Sequence, residues 1–249
     1  MLRLSILGSG DAFNGAGALH SCYLLDHDGG SLMLECGPEA LAAMKRADVD
    51  TDLPDAILVS HLHGDHFGGI PFMFLEYMFQ NRRERPLTIA GPTGIEDRVD
   101  TLYAALYRDL HRAHELCFEV EYREVTPGCD FTLAGVDVEA FEVPHSAEPF
   151  SLGYRLSAGG ANVLFSGDSA WTDEFVQRSR GTDVFLCECC SLEPVSRLHT
   201  SYSDILAHRD ALGCERLVLT HLGADVRDAA NVAVERAHDG MVIELAGRG

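Results

Sequence analysis

The chain has 249 residues, 46% of them hydrophobic, with 39 acidic and 19 basic side chains and a net charge of −20. That length and composition suit one globular α/β domain over residues 1–249, with a sizeable core. The charge argues against a nucleic-acid binder, which shows a basic face, and no apolar run reaches the length of a membrane span.

Hydrophobic patterning predicts strands near 2–7, 20–25 and 31–35, a helix near 38–47 and a strand at 56–59. No charged-then-apolar leader precedes the first strand, so a cytoplasmic location is expected. The turn Gly8-Ser9-Gly10-Asp11-Ala12-Phe13 has Phe13 where a dinucleotide loop needs its third glycine, and reads as a tight turn beside a cleft. A helix near 67–83 is expected to bury Ile70, Phe74, Tyr77 and Met78, with Arg82-Arg83-Glu84-Arg85 as its solvated end. A strand at 87–90 leads to a helix near 93–112 with Val99, Leu102, Ala105 and Leu106 at helical spacing. The second half reads as strands near 118–125, 130–134, 136–143, 150–156 and 162–166. A short helix near 172–178, a strand at 183–187, a helix near 202–212 and a strand at 217–220 follow. A helix near 227–237 and a closing strand at 241–245 end the pattern.

Between the strand at 56–59 and the next helix lies His61-Leu62-His63-Gly64-Asp65-His66. Three imidazoles and a carboxylate at a strand end are ligands suited to Zn²⁺, Mn²⁺ or Fe. Four such groups crowd one ion but can be divided between two. The eight cysteines are scattered through apolar stretches and are expected to be reduced, buried thiols. Cys187-x-Cys189-Cys190 lacks the second paired-cysteine element of a zinc finger. His20, His27, His111, His114, His208 and His238 have no ligand-type company and read as core or solvated histidines.

The motif resembles the signature of the metallo-β-lactamase superfamily, and the resemblance spans the chain from Leu4 to about Leu245. It includes Leu4-Ser5-Ile6-Leu7-Gly8-Ser9-Gly10, the acidic turn Leu34-Glu35-Cys36-Gly37, Val143-Pro144-His145-Ser146, Phe165-Ser166-Gly167-Asp168-Ser169 and Leu217-Val218-Leu219-Thr220-His221. The flanking Phe67-Gly68-Gly69, Gly91-Pro92-Thr93-Gly94 and Pro144-His145-Ser146 are similar to the ribonuclease Z-type phosphodiesterase branch. The resemblance implies a four-layer αββα sandwich of two mixed β-sheets flanked by helices. It implies two divalent ions, Zn²⁺ first with Mn²⁺ or Fe as alternatives. His61, His63 and His145 would hold one, Asp65, His66 and His221 the other, and Asp168 would bridge them. Glu188 and His199 match the branch's carboxylate–histidine pair, with His199 as general acid. Asp65 would also orient a metal-bridging hydroxide. One departure is clear: the tRNA-processing members carry a long arm between the lone His and the bridging Asp. Here that interval holds two strands and a Gly159-Gly160 turn, with Arg155 its only basic residue.

The expected function is therefore that of a metal-dependent phosphodiesterase acting on a small or cyclic phosphodiester. Hydrolysis of a lactone, ester or thioester on the same centre is the alternative, and tRNA 3′-end processing is the weakest reading. A metal-stabilised binding protein would be expected to have lost some ligands, and none is missing. The branch also suggests a homodimer.

Overall fold

The computed structural model describes residues 1–145 and 148–247; Ser146 of the Pro144-His145-Ser146 motif lies outside them. The first half contains β1 (Leu2–Gly8), β2 (Cys22–His27), β3 (Gly30–Leu34), α1 (Ala40–Arg46), β4 (Ala56–Leu58), α2 (Gly64–Phe67), α3 (Ile70–Phe79), β5 (Leu87–Pro92), α4 (Ile95–Leu106), α5 (Arg108–Ala113) and β6 (Val120–Val125). The second contains β7 (Asp130–Leu133), β8 (Val136–Val143), β9 (Ser151–Ala158), β10 (Ala161–Phe165), α6 (Glu174–Arg178), β11 (Val184–Glu188), α7 (Tyr202–His208), β12 (Arg216–Thr220), α8 (Ala224–Asp228), β13 (Glu235–Arg236) and β14 (Met241–Leu245). Among the described residues they form two seven-stranded sheets, ordered β14-β1-β2-β3-β4-β5-β6 and β13-β12-β11-β10-β9-β8-β7.

Period-two alternation builds the layers. Leu2, Leu4 and Ile6 of β1 face Val163, Phe165, Leu186 and Val218 of the other sheet in one core between the sheets. The residues between them point outward. Leu24, Met33, Ile57 and Ile89 pack under α1, α3 and α4, while Leu164, Phe185, Cys187 and Leu219 pack under α6, α7 and α8. The expected αββα sandwich is the one observed. All eight cysteines are free, and Cys22, Cys36, Cys187 and Cys189 are buried.

Four local expectations fail for identifiable reasons. The region near 227–237 is not a helix: α8 stops at Asp228, and Arg236 donates to the carbonyls of Val226, Arg227 and Ala229. Those bonds hold the segment irregular while β13 pairs with β12. The helix near 93–112 breaks at Tyr107, whose φ of −133° and ψ of 53° are not helical. Its buried stripe is accordingly Ile95, Val99 and Tyr103, and Leu106 is exposed. The helix near 67–83 is α2 plus α3, interrupted at Gly68-Gly69, and ends at Phe79. Arg83 is no solvated helix end: it is fully buried, donating to Asp52, Arg85 O and Pro86 O beside the Tyr77 ring.

Two buried hydroxyls tie sheet to sheet. Tyr23 Oη bonds Thr220 Oγ1 at 2.7 Å, and Tyr154 Oη donates to Val59 O at 2.7 Å. Leu152 N adds a main-chain bond to Ser60 O at 3.0 Å. Tyr154→Phe should leave the Val59 carbonyl without its hydroxyl donor and lower stability by about 1–3 kcal/mol. Urea denaturation checks this; an unchanged midpoint would deny Tyr154 a pinning role.

Candidate metal centre

Strand direction assembles the site. β8 runs antiparallel to β9, β9 antiparallel to β10, and β10, β11 and β12 are parallel. The carboxyl ends of β8, β10, β11 and β12 therefore share one edge, carrying His145, Asp168, Glu188 and His221. β4 brings His61 and His63 to the same place, and α2 adds Asp65 and His66. Asp168 follows Gly167, whose φ is 59° and whose Cβ, if present, would stand 2.5 Å from Leu152 O. Only glycine fits that turn. His221 and Glu35 take left-handed φ of 49° and 61°. Such non-glycine strain persists where surroundings over-determine it.

All seven residues expected as ligands converge. His66 Nε2 lies 3.2 Å from Asp65 Oδ2 and 3.4 Å from Asp168 Oδ1. His221 Nε2 is 3.4 Å from Asp65 Oδ2 and from Asp168 Oδ2. His61 Nε2 and His145 Nε2 stand 3.9 and 4.0 Å from Asp168 Oδ2, and His63 Nδ1 is 3.2 Å from His145 Nε2. The outer nitrogens are engaged elsewhere: His61 Nδ1 with Ser60 Oγ at 3.0 Å, and His145 Nδ1 with Leu198 O at 3.0 Å. His66 Nδ1 faces Glu35 Oε2 at 3.5 Å, and His221 Nδ1 faces Glu188 Oε2 at 3.6 Å. Each ring thus turns its remaining nitrogen inward, as outer partners orient metal-bound imidazoles.

Two observations fit this donor set to a divalent cation. His61 Nε2 and His66 Nε2 are buried without a hydrogen-bond partner. The site is also short of positive charge. Burial resists ionisation of Asp168, yet His221 and His66 hold its carboxyl well below the usual carboxylate range. Burial likewise opposes charge on His221 and His66. Asp168 leads the carboxylates that overcome it, raising His221 to about 10 and His66 well above its ordinary value. Burial, followed by the His66 charge, drives His61 the other way. The buried carboxylates draw cationic charge inward, as protons or as metal.

The Glu188–His199 pair sits beside this cluster. His199 Nδ1 bonds Glu188 Oε2 at 3.0 Å, while Glu188 Oε1 accepts from the main-chain N–H groups of Ser169 and Thr200. Burial works against a charged His199 and the Glu188 bond overrides it, so its pKa is raised. Below the cluster's open side is a cavity of about 740 Å³, lined by His63, Asp65, His145, Asp168, His199 and His221 among others. The Gly8–Gly17 segment contributes Asp11, Ala12 and Phe13 to its wall. Cys190, Val195, Ser196, Leu198 and Gly223–Asp225 complete the wall, and no residue of 67–85, expected to share in shaping it, lines it. His27, His111, His114, His208 and His238 line none of it either, and His20 pairs with Glu39. The Ser60 hydroxyl and Leu198 carbonyl were not singled out from sequence, since neither group is distinctive there.

The family described as anti-Pycsar protein Apyc1 matches residues 2–242. Ribonuclease Z of Methanosarcina acetivorans is 24% identical over 282 residues, covering 92% of this chain and 90% of that protein. Among solved structures, the metallo-β-lactamase fold protein YhfI from Bacillus subtilis superimposes with a TM-score of 0.77 at 22% identity, over 98% of this chain and 100% of its own. Human tRNase Z, short form, gives 0.75 at 22% identity, over 97% and 98%.

The Glu35 carboxylate behind His66 generates a prediction. Glu35→Ala should weaken divalent-metal binding about 10–100-fold, measured by metal titration with a competing chelator. Unaltered affinity would show that His66 needs no such support.

Proposed function

Because the chain belongs to the family described as anti-Pycsar protein Apyc1, and is a ribonuclease Z-like metal-dependent hydrolase of the metallo-β-lactamase fold, we propose that it hydrolyses a small or cyclic phosphodiester. The anti-Pycsar role in the family's description is carried to this chain as part of the same proposal. The observation that carries the reading is the Glu188–His199 pair opening onto the cavity beside the metal-type cluster. An alkoxide leaving phosphorus needs a proton, and a histidine backed by a carboxylate supplies one.

In this reading His61, His63 and His145 would hold one divalent ion and Asp65, His66 and His221 a second, with Asp168 serving both. Zinc suits this donor set, as do manganese and iron. Such ions acidify bound water and neutralise charge on phosphoryl oxygens. The chain's own residues do the rest. Asp65, with its pKa lowered by His66 and His221 against the effect of burial, stays an acceptor able to align the attacking water. Glu188 fixes the His199 ring through Nδ1, leaving Nε2 to deliver its proton to the leaving oxygen. Glu188 also faces His221 Nδ1, so one carboxylate orients both a ligand and the proton donor.

The substrate is read as small. Among the described residues between His145 and Asp168 there is only the β9–β10 hairpin, with no room for an RNA-gripping arm. The net charge of −20 repels a polyanion.

Asp168→Ala should lose bound metal and more than about a hundredfold of activity together. Full turnover at full metal content would refute its bridging position. His199→Ala should keep the metal and lose about 10²–10⁴ of the rate on alkyl phosphodiesters. Nitrophenyl esters, whose leaving group needs no proton, should be nearly unaffected. Equal losses on both would sink the general-acid role. Turnover of lactones or thioesters alone would move the protein to carbonyl chemistry.

A further inference from the structure

The cavity at the open side of the metal-type cluster has two unlike walls. Among the described residues its lining contains no lysine or arginine. The carboxylates Asp11 and Asp225 are occupied by main-chain N–H groups, Asp11 by Phe13 and Gly15, Asp225 by Leu192 and Val226. Three apolar side chains of the lining stand open to water: Phe13 is 88% exposed, Val195 77% and Leu198 40%. Away from the histidines, a second phosphate would meet the Asp11 and Asp225 carboxylates there. A flat, uncharged ring system would meet an open phenyl ring.

The loop that presents this ring is firmly built. Asn14 and Ala16, both non-glycine, take left-handed φ of 52°. Asp11 holds the Phe13 and Gly15 N–H groups, and Asn14 Nδ2 donates to Ala18 O at 2.9 Å. Gly15 packs so tightly that a Cβ would stand 2.8 Å from Ala224 N. Strain of this kind clusters at ligand clamps and persists only where the surroundings enforce it. Here it holds an aromatic side chain out at the mouth of the cavity, where water gains nothing from it.

We propose that Phe13 is a specificity-determining residue, its ring stacking on a planar, uncharged ring system joined to the scissile phosphodiester. Val195 and Leu198 complete the apolar rim. The proposal rests on the phosphodiesterase reading and adds to it the source of affinity: the phosphoryl group would sit at the His/Asp cluster, and Phe13 takes the body. Ring stacking of this sort contributes about a factor of ten or more to binding.

The test uses the metal-loaded protein and two kinds of probe. One is a panel of nucleoside cyclic monophosphates. The other is the matching methyl riboside cyclic phosphate, which keeps sugar and phosphodiester but has methoxy in place of the base. Phe13→Ala should raise KM about tenfold on the best base-bearing probe with kcat nearly kept, and leave the methyl riboside unchanged. Phe13→Tyr should restore the wild-type KM. Equal KM for wild type and Phe13→Ala on the base-bearing probes overturns the role of Phe13, as does an equal rise on both kinds of probe. Absence of turnover of either kind by the wild type removes the phosphodiesterase reading itself, and the ring's role with it.

Discussion

A carboxylate buried to 3% exposure stays ionised only if positive charge stands beside it, and Asp168 is such a carboxylate. Much of the molecule can be understood as the means of meeting that demand. The imidazoles of His66 and His221 arrive from opposite sheets, one from α2 after β4 and the other from the end of β12. Their meeting requires the two sheets to stay in fixed register at this edge. The Tyr23–Thr220 and Tyr154–Val59 hydrogen bonds and the Leu152–Ser60 main-chain bond lie close behind it. The core supplies most of the burial energy, but these directional bonds select the relative position of the sheets.

The same logic extends one layer out. Ser60 and the Leu198 carbonyl bond the outer nitrogens of His61 and His145, and the carboxylates of Glu35 and Glu188 face those of His66 and His221, so each ring aims its other nitrogen inward. Glu188 stands in two such relations at once, facing His221 and bonding His199. Replacement of this residue would disturb both rings together, so its neighbours cannot be treated as independent contributors.

The α/β layering and the His61-Leu62-His63-Gly64-Asp65-His66 cluster were legible from local pattern and donor types, while the sandwich and the joining of His145, Asp168 and His221 to that cluster came through the family resemblance. What escaped was set by long-range partners. Arg83 reads as an exposed basic run, yet Asp52, 31 residues away, and the Tyr77 ring make it a buried anchor. The stretch after Asp228 has helical spacing, but Arg236 captures three carbonyls that a helix would have used. The bend at Tyr107 likewise moves burial from Leu106 to Tyr103. In each case a tertiary contact overrides local pattern. The cavity wall from residue 190 onward was hidden for the opposite reason: its sequence has ordinary apolar residues whose importance lies only in where they are left exposed.

The pairing of β1 with β14 has a consequence for the order in which the molecule is made. Leu2 aligns with Leu245 and Ile6 with Met241, so one side of the first strand is completed by the last. During synthesis β2 can cover only one flank of β1, and the other offers unpaired N–H and C=O groups until β14 has emerged. His221 also emerges late, shortly before β14. Closure of the sheet edge and completion of the donor cluster are thus events of the same final stage, and the nascent protein is most open to mispairing just before it can first hold its metal.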